Sequence, residues 1–149
     1  MDTIEDFEDL LEMLERHGAR YLIVGGLAFI YHAKPRYTKD MDIWIEFTPD
    51  NVASANRALS EFGSPKLLDT ERNDRVLQLG IAPDRIDLFL RMAPLDFENA
   101  WNGRVRDCYG RVEANWIGLE ELLEIKSSID KPRHAEDARV LREVKKRKN

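Results

Sequence analysis

The stretch YLIVGGLAFIYHAKPRYTKDMDIWIE, residues 21–46, contains the pattern that decides the fold. Its first apolar run, Tyr21–Val24, is short and rich in β-branched residues, which predicts a buried strand. A pair of glycines ends that run, and the residues after it predict one or two helical turns. A basic loop leads to a second apolar run, Met41–Phe47, which predicts another strand. Asp40 and Asp42 flank the first residue of this run, where a buried strand favours valine or isoleucine.

The two aspartates are expected to share one face of their strand, because side chains alternate across a strand. Met41, Ile43 and Ile45 then take the opposite face, toward the core. The Cα atoms of Asp40 and Asp42 would lie about 7 Å apart, given a rise of about 3.3 Å per residue. Two neighbouring carboxylates in a partly enclosed site repel each other, so a positive charge is expected between them. No arginine or lysine pattern in the sequence supplies that charge, whereas a divalent cation would.

An Asp-x-Asp pair taken alone is more typical of a solvent-facing strand that carries surface acids. Two further features favour a functional site. Gly25 and Gly26 lie between the first strand and the predicted helix, where glycine allows backbone amides to approach an anionic ligand. Asp87 stands in the apolar run RIDLFLR, residues 85–91, where an isolated aspartate is uncommon.

Size and composition limit the classes of protein that the sequence can encode. The chain has 149 residues and a net charge of −5, which fits one domain with its own core and argues against broad, nonspecific nucleic-acid binding. A polynucleotide substrate on a local basic patch stays possible.

No apolar run is long enough to cross a bilayer and the N-terminal segment is acidic, so we expect a cytoplasmic location and no membrane partner. Cys108 is the only cysteine, which excludes an internal disulfide, and we expect it to be a half-buried apolar filler.

The remaining patterns predict an α+β fold, with a mixed β-sheet flanked by helices and with C-terminal helices. A helix is predicted to begin at Thr48 and Pro49, because the hydroxyl can cap it and proline suits the first turn, and to end at Gly63. Strands are predicted at 75–81 and 85–90, with a turn around Pro83 and Asp84 between them. A hairpin follows, and helices at 119–129 and 132–146 close the chain. We predict a single domain over residues 1–149, with a core at about 19–92 and the hairpin and C-terminal helices at about 104–147.

The order of strand, Gly-Gly turn, short helix, Asp-x-Asp strand and later strand with a lone aspartate resembles the nucleotidyltransferase superfamily of DNA polymerase β. The resemblance covers residues 21–90. Within this superfamily, three segments resemble the small bacterial AbiEii-type nucleotidyltransferases more than the polymerases. They are YLIVGGLAFIYH, TKDMDIWI and, near the C-terminus, IKSSIDKPRHAEDARVL. The resemblance therefore implies a single nucleotidyltransferase-type domain.

The resemblance also implies a reaction and the residues that perform it. A nucleoside monophosphate would move from a nucleoside triphosphate (NTP) to an acceptor hydroxyl, with two Mg²⁺ ions at the site. The residues implied in catalysis and metal binding are Asp40, Asp42 and Asp87, and Asp87 would also accept the proton of the acceptor hydroxyl.

The residues implied in nucleotide binding are Gly25, Gly26, Lys39 and Lys126. Lys39 belongs to a basic loop with Lys34 and Arg36, which is either a triphosphate contact or a solvated surface loop. Lys126 lies on a predicted helix, from which it would reach a phosphate or extend to water. Asp137 occupies a place comparable to a charged position of the AbiEii group.

Four functions are compatible with these residues. The AbiEii resemblance implies a possible toxin that acts on tRNA and has an antitoxin partner. The same motif occurs in small-molecule nucleotidyltransferases of the aminoglycoside type, although these usually need a larger helical domain for the acceptor. A non-catalytic domain that binds a nucleotide or a partner is a third alternative. A glycosyltransferase-type Asp-x-Asp ranks last, because it explains neither the glycine pair nor Asp87.

Overall fold

The computed structural model describes residues 1–38, 40–81 and 84–148. Within this part the chain forms one domain with six helices and six strands, and the predicted α+β class with a mixed sheet is confirmed. The helices are α1 (Glu5–Arg16), α2 (Gly25–His32), α3 (Pro49–Phe62), α4 (Phe97–Asn102), α5 (Leu119–Ser128) and α6 (Pro132–Lys148). The strands are β1 (Tyr21–Val24), β2 (Asp40–Ile45), β3 (Leu77–Leu79), β4 (Arg85–Phe89), β5 (Val105–Tyr109) and β6 (Val112–Trp116).

All six strands belong to one mixed sheet in the order β3-β4-β2-β1-β6-β5. The central strand pair β1–β2 is antiparallel, as are the pairs β3–β4 and β5–β6. The pairs β2–β4 and β1–β6 are parallel. The C-terminal hairpin thus extends the same sheet that carries the Asp-x-Asp strand, because β6 pairs directly with β1.

Helices cover both faces of the sheet. Met41, Ile43 and Ile45 are fully buried in the cluster that packs against α1 and α3, so the predicted core face of β2 is confirmed. On the opposite face, Val24 and Trp44 are buried in a second cluster with side chains of α2, α4, α5 and α6. Covering both faces removes apolar surface from water, which is the main stabilising contribution to such a fold. The aspartates of β2 therefore lie at the edge of an apolar layer and not on an open surface.

Several predicted boundaries differ from the structure. The strand predicted at 75–81 is limited to Leu77–Leu79, since β3 is an edge strand that pairs only with β4. Pro83 of the predicted turn lies outside the described residues. Cys108 is exposed and not half-buried, because it points outward on the edge strand β5. None of the helices in the described part combines the length and apolar character that a membrane span requires.

Candidate active site

The three aspartates come together because β2 and β4 are parallel neighbours. Asp42 is directly opposite Asp87 in the register, so their side chains leave the sheet on the same face. Asp40, Asp42 and Asp87 each offer a carboxylate oxygen, and these oxygens all lie within 4.8 Å of one another. Asp87 is 6 % exposed, whereas Asp40 and Asp42 are half-buried. A single divalent ion or a pair of ions has room to contact all three carboxylates in this arrangement.

The electrostatics of the cluster disfavour three negative charges without a counterion. Burial, followed by repulsion from Asp87 and Asp40, raises the pKa of Asp42 to about 7. Burial also raises the pKa of Asp87, with Arg85 acting in the opposite direction. The Oδ1 atoms of Asp40 and Asp87 are buried and accept no hydrogen bond from any described residue. Unpaired carboxylate oxygens that converge in this way fit the ligand preference of Mg²⁺.

Arg85 is a member of this site that the sequence analysis missed. Its Nη2 atom donates to Asp40 Oδ2 at 2.7 Å, and its Nε atom lies 3.4 Å from Asp87 Oδ1. The inference that no arginine pattern accounts for the acids was therefore wrong. Arg85 precedes Asp87 by two residues on β4 and is opposite Asp40 in the register, which places it on the same face. The Arg-x-Asp spacing within a predicted strand was the signal that would have revealed it.

The glycine pair forms the beginning of α2 beside the acids. Gly25 is the first residue of α2 and has a φ of 65°, which favours glycine. A Cβ atom at Gly25 would overlap the Asp42 carboxylate, and one at Gly26 would lie 2.7 Å from Thr38 Oγ1. Both positions therefore require glycine for close packing. The helix begins two residues earlier than predicted, and its N-cap residue Val24 makes no side-chain capping hydrogen bond. The free backbone N–H groups at the beginning of a helix are suited to bind an anion.

A group of charged side chains, which we call the cationic wall, lines the same cavity as the glycine pair. Lys126 Nζ lies 2.9 Å from Asp137 Oδ2, and Arg36 Nη1 donates to Asp137 Oδ1 at 2.6 Å. Lys126 and Asp137 are 5 % and 3 % exposed. Burial opposes ionisation of Asp137, yet the hydrogen bonds from Arg36 and Lys126 hold its pKa below the ordinary value. A buried pair fixed in this way holds the ammonium group in place.

Two further residues extend the cationic wall. Lys126 Nζ lies 3.2 Å from His134 Nδ1, and burial together with Lys126 lowers the pKa of His134. A neutral His134 then accepts a hydrogen bond from the ammonium group. Arg133 lies beside it at the beginning of α6, and it also lines the cavity.

A cavity of about 600 Å³ is lined by members of the carboxylate cluster, by the glycine pair and by the cationic wall. Its lining includes Gly25, Gly26, Asp40, Asp42 and Lys126, which the sequence analysis proposed as site residues. The size is within the usual range of about 300–1,000 Å³ for small-molecule sites.

The loop residues before β2 differ in their positions. Arg36 lines the cavity, while Lys34 is exposed. Lys39 lies outside the described residues, so its predicted contact with the nucleotide stays a prediction.

Trp44 is 2 % exposed and packs edge-to-face on Phe97 of α4 at 5.2 Å, so it is covered by a helix and does not offer a face to a base.

Comparisons with known proteins identify the fold. No family model matches the sequence, and no curated protein matches it. Solved structures do match, and they show that the chain has the nucleotidyltransferase fold.

One matching structure is the lincosamide antibiotic adenylyltransferase LnuA with bound lincomycin, at a TM-score of 0.64 and 15 % identity over 97 % of this chain and 99 % of that one. A second is TM1012 of Thermotoga maritima, a proposed nucleotidyltransferase, at a TM-score of 0.62 and 16 % identity over 89 % of this chain and 88 % of that one. A third is ANT(2")-Ia in complex with adenylyl-2"-tobramycin, at a TM-score of 0.55 and 14 % identity over 91 % of this chain and 84 % of that one. The narrower likeness to AbiEii-type proteins stays a prediction.

Proposed function

We propose that the protein is an Mg²⁺-dependent nucleotidyltransferase that moves a nucleoside monophosphate from an NTP to an acceptor hydroxyl. The observation that carries the proposal is the convergence of Asp40, Asp42 and Asp87 within 4.8 Å beside the Gly25 turn. Two buried carboxylate oxygens in this cluster, Oδ1 of Asp40 and Oδ1 of Asp87, accept no hydrogen bond within the described part of the chain, which supports a divalent cation as their ligand. The fold, which is shared with an adenylyltransferase, also supports this chemistry.

The residues have separate roles in the proposed reaction. The amides of Gly25 and Gly26 and the ammonium group of Lys126 hold the β- and γ-phosphates, and Lys39 is proposed to assist them. Asp87 accepts the proton of the acceptor hydroxyl, a role that its position opposite Asp42 in the cluster supports. The acceptor oxygen forms a bond to the α-phosphorus while the bond from that phosphorus to pyrophosphate breaks. Bound Mg²⁺, held by the three carboxylates, would stabilise the charge on the entering and leaving oxygens.

For the acceptor we propose a small hydroxylated molecule. The objection that such an acceptor needs a larger helical domain loses its force, because LnuA, which holds lincomycin, is covered over 99 % of its length by a chain of this span. A tRNA acceptor with an antitoxin partner is the second candidate. Its support is the basic end of α6, but two of those side chains already pair with acids, Lys145 with Glu120 and Lys146 with Glu143.

The test is a transfer assay with each of the four nucleoside triphosphates labelled at the α-phosphorus, Mg²⁺, and lincomycin, tobramycin or total tRNA as the acceptor. We expect labelled product with the wild-type protein and none with Asp42→Asn. The matched control is Asp130→Asn, which removes an exposed aspartate outside the cluster and is expected to keep full activity.

Two results would contradict the proposal. Product that forms equally well with Asp42→Asn would show that the carboxylate cluster is not the reaction centre. Calorimetric binding of an NTP with Mg²⁺, without product on any acceptor, would favour the non-catalytic alternative, a nucleotide-binding domain.

A further inference from the structure

The loop before β2 brings two side chains close to the glycine pair. Arg36 and Thr38 are half-buried and line the cavity, whereas Lys34 of the same loop is exposed and is not part of the lining. A Cβ atom at Gly26 would lie 2.7 Å from Thr38 Oγ1 and 3.9 Å from Arg36 Nη2. A hydroxyl group and a guanidinium group therefore lie next to Gly26, in the first turn of α2.

Two contacts hold the guanidinium group of Arg36 in this position. Its Cζ atom lies 4.2 Å from the ring centroid of Phe29, which follows Gly26 by three residues on α2 and so lies on the same side of that helix. Its Nη1 atom donates to Asp137 Oδ1 at 2.6 Å. Its Nη2 atom, the one next to Gly26, donates no hydrogen bond to any residue of the described ranges. An ordered guanidinium group with one free edge binds a ligand at a small cost in entropy.

The positive charge of Arg36 exceeds what the fold needs at this point. Arg36 and Lys126 share the single carboxylate of Asp137, so these three side chains together keep one positive charge. Lys126, at 2.9 Å, would by itself neutralise the buried carboxylate. Arg133 adds a further positive charge to the lining of the same cavity. The surplus charge beside the first turn of a helix favours a phosphate group as the ligand.

The hydroxyl of Thr38 has only a weak partner in the protein. It donates to the Asp40 carbonyl oxygen at 3.4 Å, which is longer than a normal hydrogen bond between oxygen atoms. A phosphate oxygen at the usual distance of about 2.7 Å would be a better acceptor. The two glycines also differ in what they contact, since a Cβ atom at Gly25 would overlap the Asp42 carboxylate and one at Gly26 would meet Thr38. Gly25 is thus the glycine at the carboxylate cluster, and Gly26 is the glycine at the loop.

We propose that Arg36 and Thr38 bind the β- and γ-phosphates of the NTP, and that Arg36 is the residue by which the site distinguishes a triphosphate from a monophosphate. The inference rests on the proposed function, in which the triphosphate lies against the glycine pair. The α-phosphate has to stay at the carboxylate cluster, where the reaction takes place. Contacts made at Gly26 therefore reach the phosphates beyond it. The planar guanidinium group donates through Nη2 to their oxygens, while Nη1 stays on Asp137.

The experiment is an NMR titration of the ¹⁵N-labelled full chain with Mg²⁺ and without an acceptor. The ligands are whichever of ATP, GTP, CTP and UTP binds most tightly, and the monophosphate of the same nucleoside. We expect Arg36→Gln to weaken triphosphate binding about tenfold to a hundredfold, the range for a hydrogen bond to a charged group, and monophosphate binding less than about twofold.

Two further variants accompany it. Thr38→Val replaces the hydroxyl with a methyl group and breaks no ion pair, and it should weaken triphosphate binding about fivefold without affecting the monophosphate. Lys34→Gln is the matched control, because it removes a positive charge from an exposed position of the same loop. It should leave both affinities unchanged, since solvent and salt screen an exposed charge.

Each other outcome overturns the inference. An equal loss of triphosphate and monophosphate affinity would assign Arg36 to the structure of the site, and an equal loss in Lys34→Gln would reduce its role to the general charge of the loop. If Arg36→Gln does not fold, because Asp137 loses a partner, Thr38→Val decides alone, and wild-type triphosphate affinity in that variant refutes the inference. Failure of the proposed function is recognised separately. In that case no triphosphate with Mg²⁺ shifts the amide signals of Gly25 and Gly26 in the wild-type protein, and the inference falls with it.

Discussion

An Asp42→Asn variant is expected to unfold at a higher temperature than the wild-type protein at about pH 8 without Mg²⁺. The reason is the pKa of Asp42, which burial and the neighbouring Asp87 and Asp40 raise from 3.8 to about 7. In the unfolded chain this carboxyl ionises near its ordinary pKa. The folded protein therefore loses stability as the pH rises from about 4 toward about 7, and the loss is complete above that range.

The size of the effect follows from the shift. About three pKa units at about 1.4 kcal/mol each set an upper limit of about 4 kcal/mol. Asp42 is only partly buried, so solvent screening reduces the expected gain to about 1–2 kcal/mol. For a chain of this length, such a gain corresponds to about 3–6 °C in the unfolding temperature. The gain should shrink toward zero as the pH falls below about 4, because the wild-type carboxyl then becomes protonated in both states.

The assay is thermal unfolding followed by circular dichroism across this pH range, with and without Mg²⁺. Mg²⁺ should raise the unfolding temperature of the wild-type protein, more at high pH than at low pH, because the ion binds the ionised carboxylates. The variant should gain much less from Mg²⁺. If Asp42→Asn is less stable than the wild type at high pH without Mg²⁺, or if both proteins respond equally to the ion, the electrostatic reasoning is wrong.

Three other substitutions test the remaining parts of the site. Gly25→Ala should cost about 1–3 kcal/mol in urea unfolding, because the methyl group meets Asp42 at a positive φ, and an unchanged unfolding midpoint would contradict this. Arg85→Gln should tighten Mg²⁺ binding in calorimetry, since the ion no longer competes with the guanidinium for the acids, and weaker binding would show that the arginine supports the metal site. Lys126→Met should destabilise the protein by about 3–5 kcal/mol in urea unfolding, because it leaves Asp137 buried with one partner fewer, and restoration by a second change, Asp137→Leu, would confirm the cause.

The helices and strands that were predicted well are those whose sequence signals come from residues a few positions apart. The strand β1 was predicted with the same bounds, and α3 was predicted from Thr48 and Pro49 to its end at Gly63. The Thr48 hydroxyl does accept a hydrogen bond from the Asn51 amide, and Gly63 has the positive φ of a helix end. These signals depend on neighbours a few residues apart, and the sequence displays them directly.

The contacts that were missed join residues far apart along the chain. Arg85 reaches Asp40 across 45 positions, and Arg36 reaches Asp137 across 101. Both contacts require a particular strand register or helix docking, which single-sequence patterns do not encode. The exposure of Cys108 was missed for the same reason, because it depends on β5 being the outer strand of the sheet.

By itself, the sequence determined that Asp40, Asp42 and Asp87 interrupt apolar strands beside a glycine turn, because alternation and strand propensity are properties of short segments. Only the tertiary structure decided that β2 and β4 are parallel neighbours in a register that places Asp42 opposite Asp87. It also decided that Arg85 lies against these acids, and that Arg36, Lys126 and Arg133 line the same cavity as Asp40 and Asp42. Register and helix docking depend on how the whole core excludes water, and this exclusion is a property of the assembled chain rather than of any one segment.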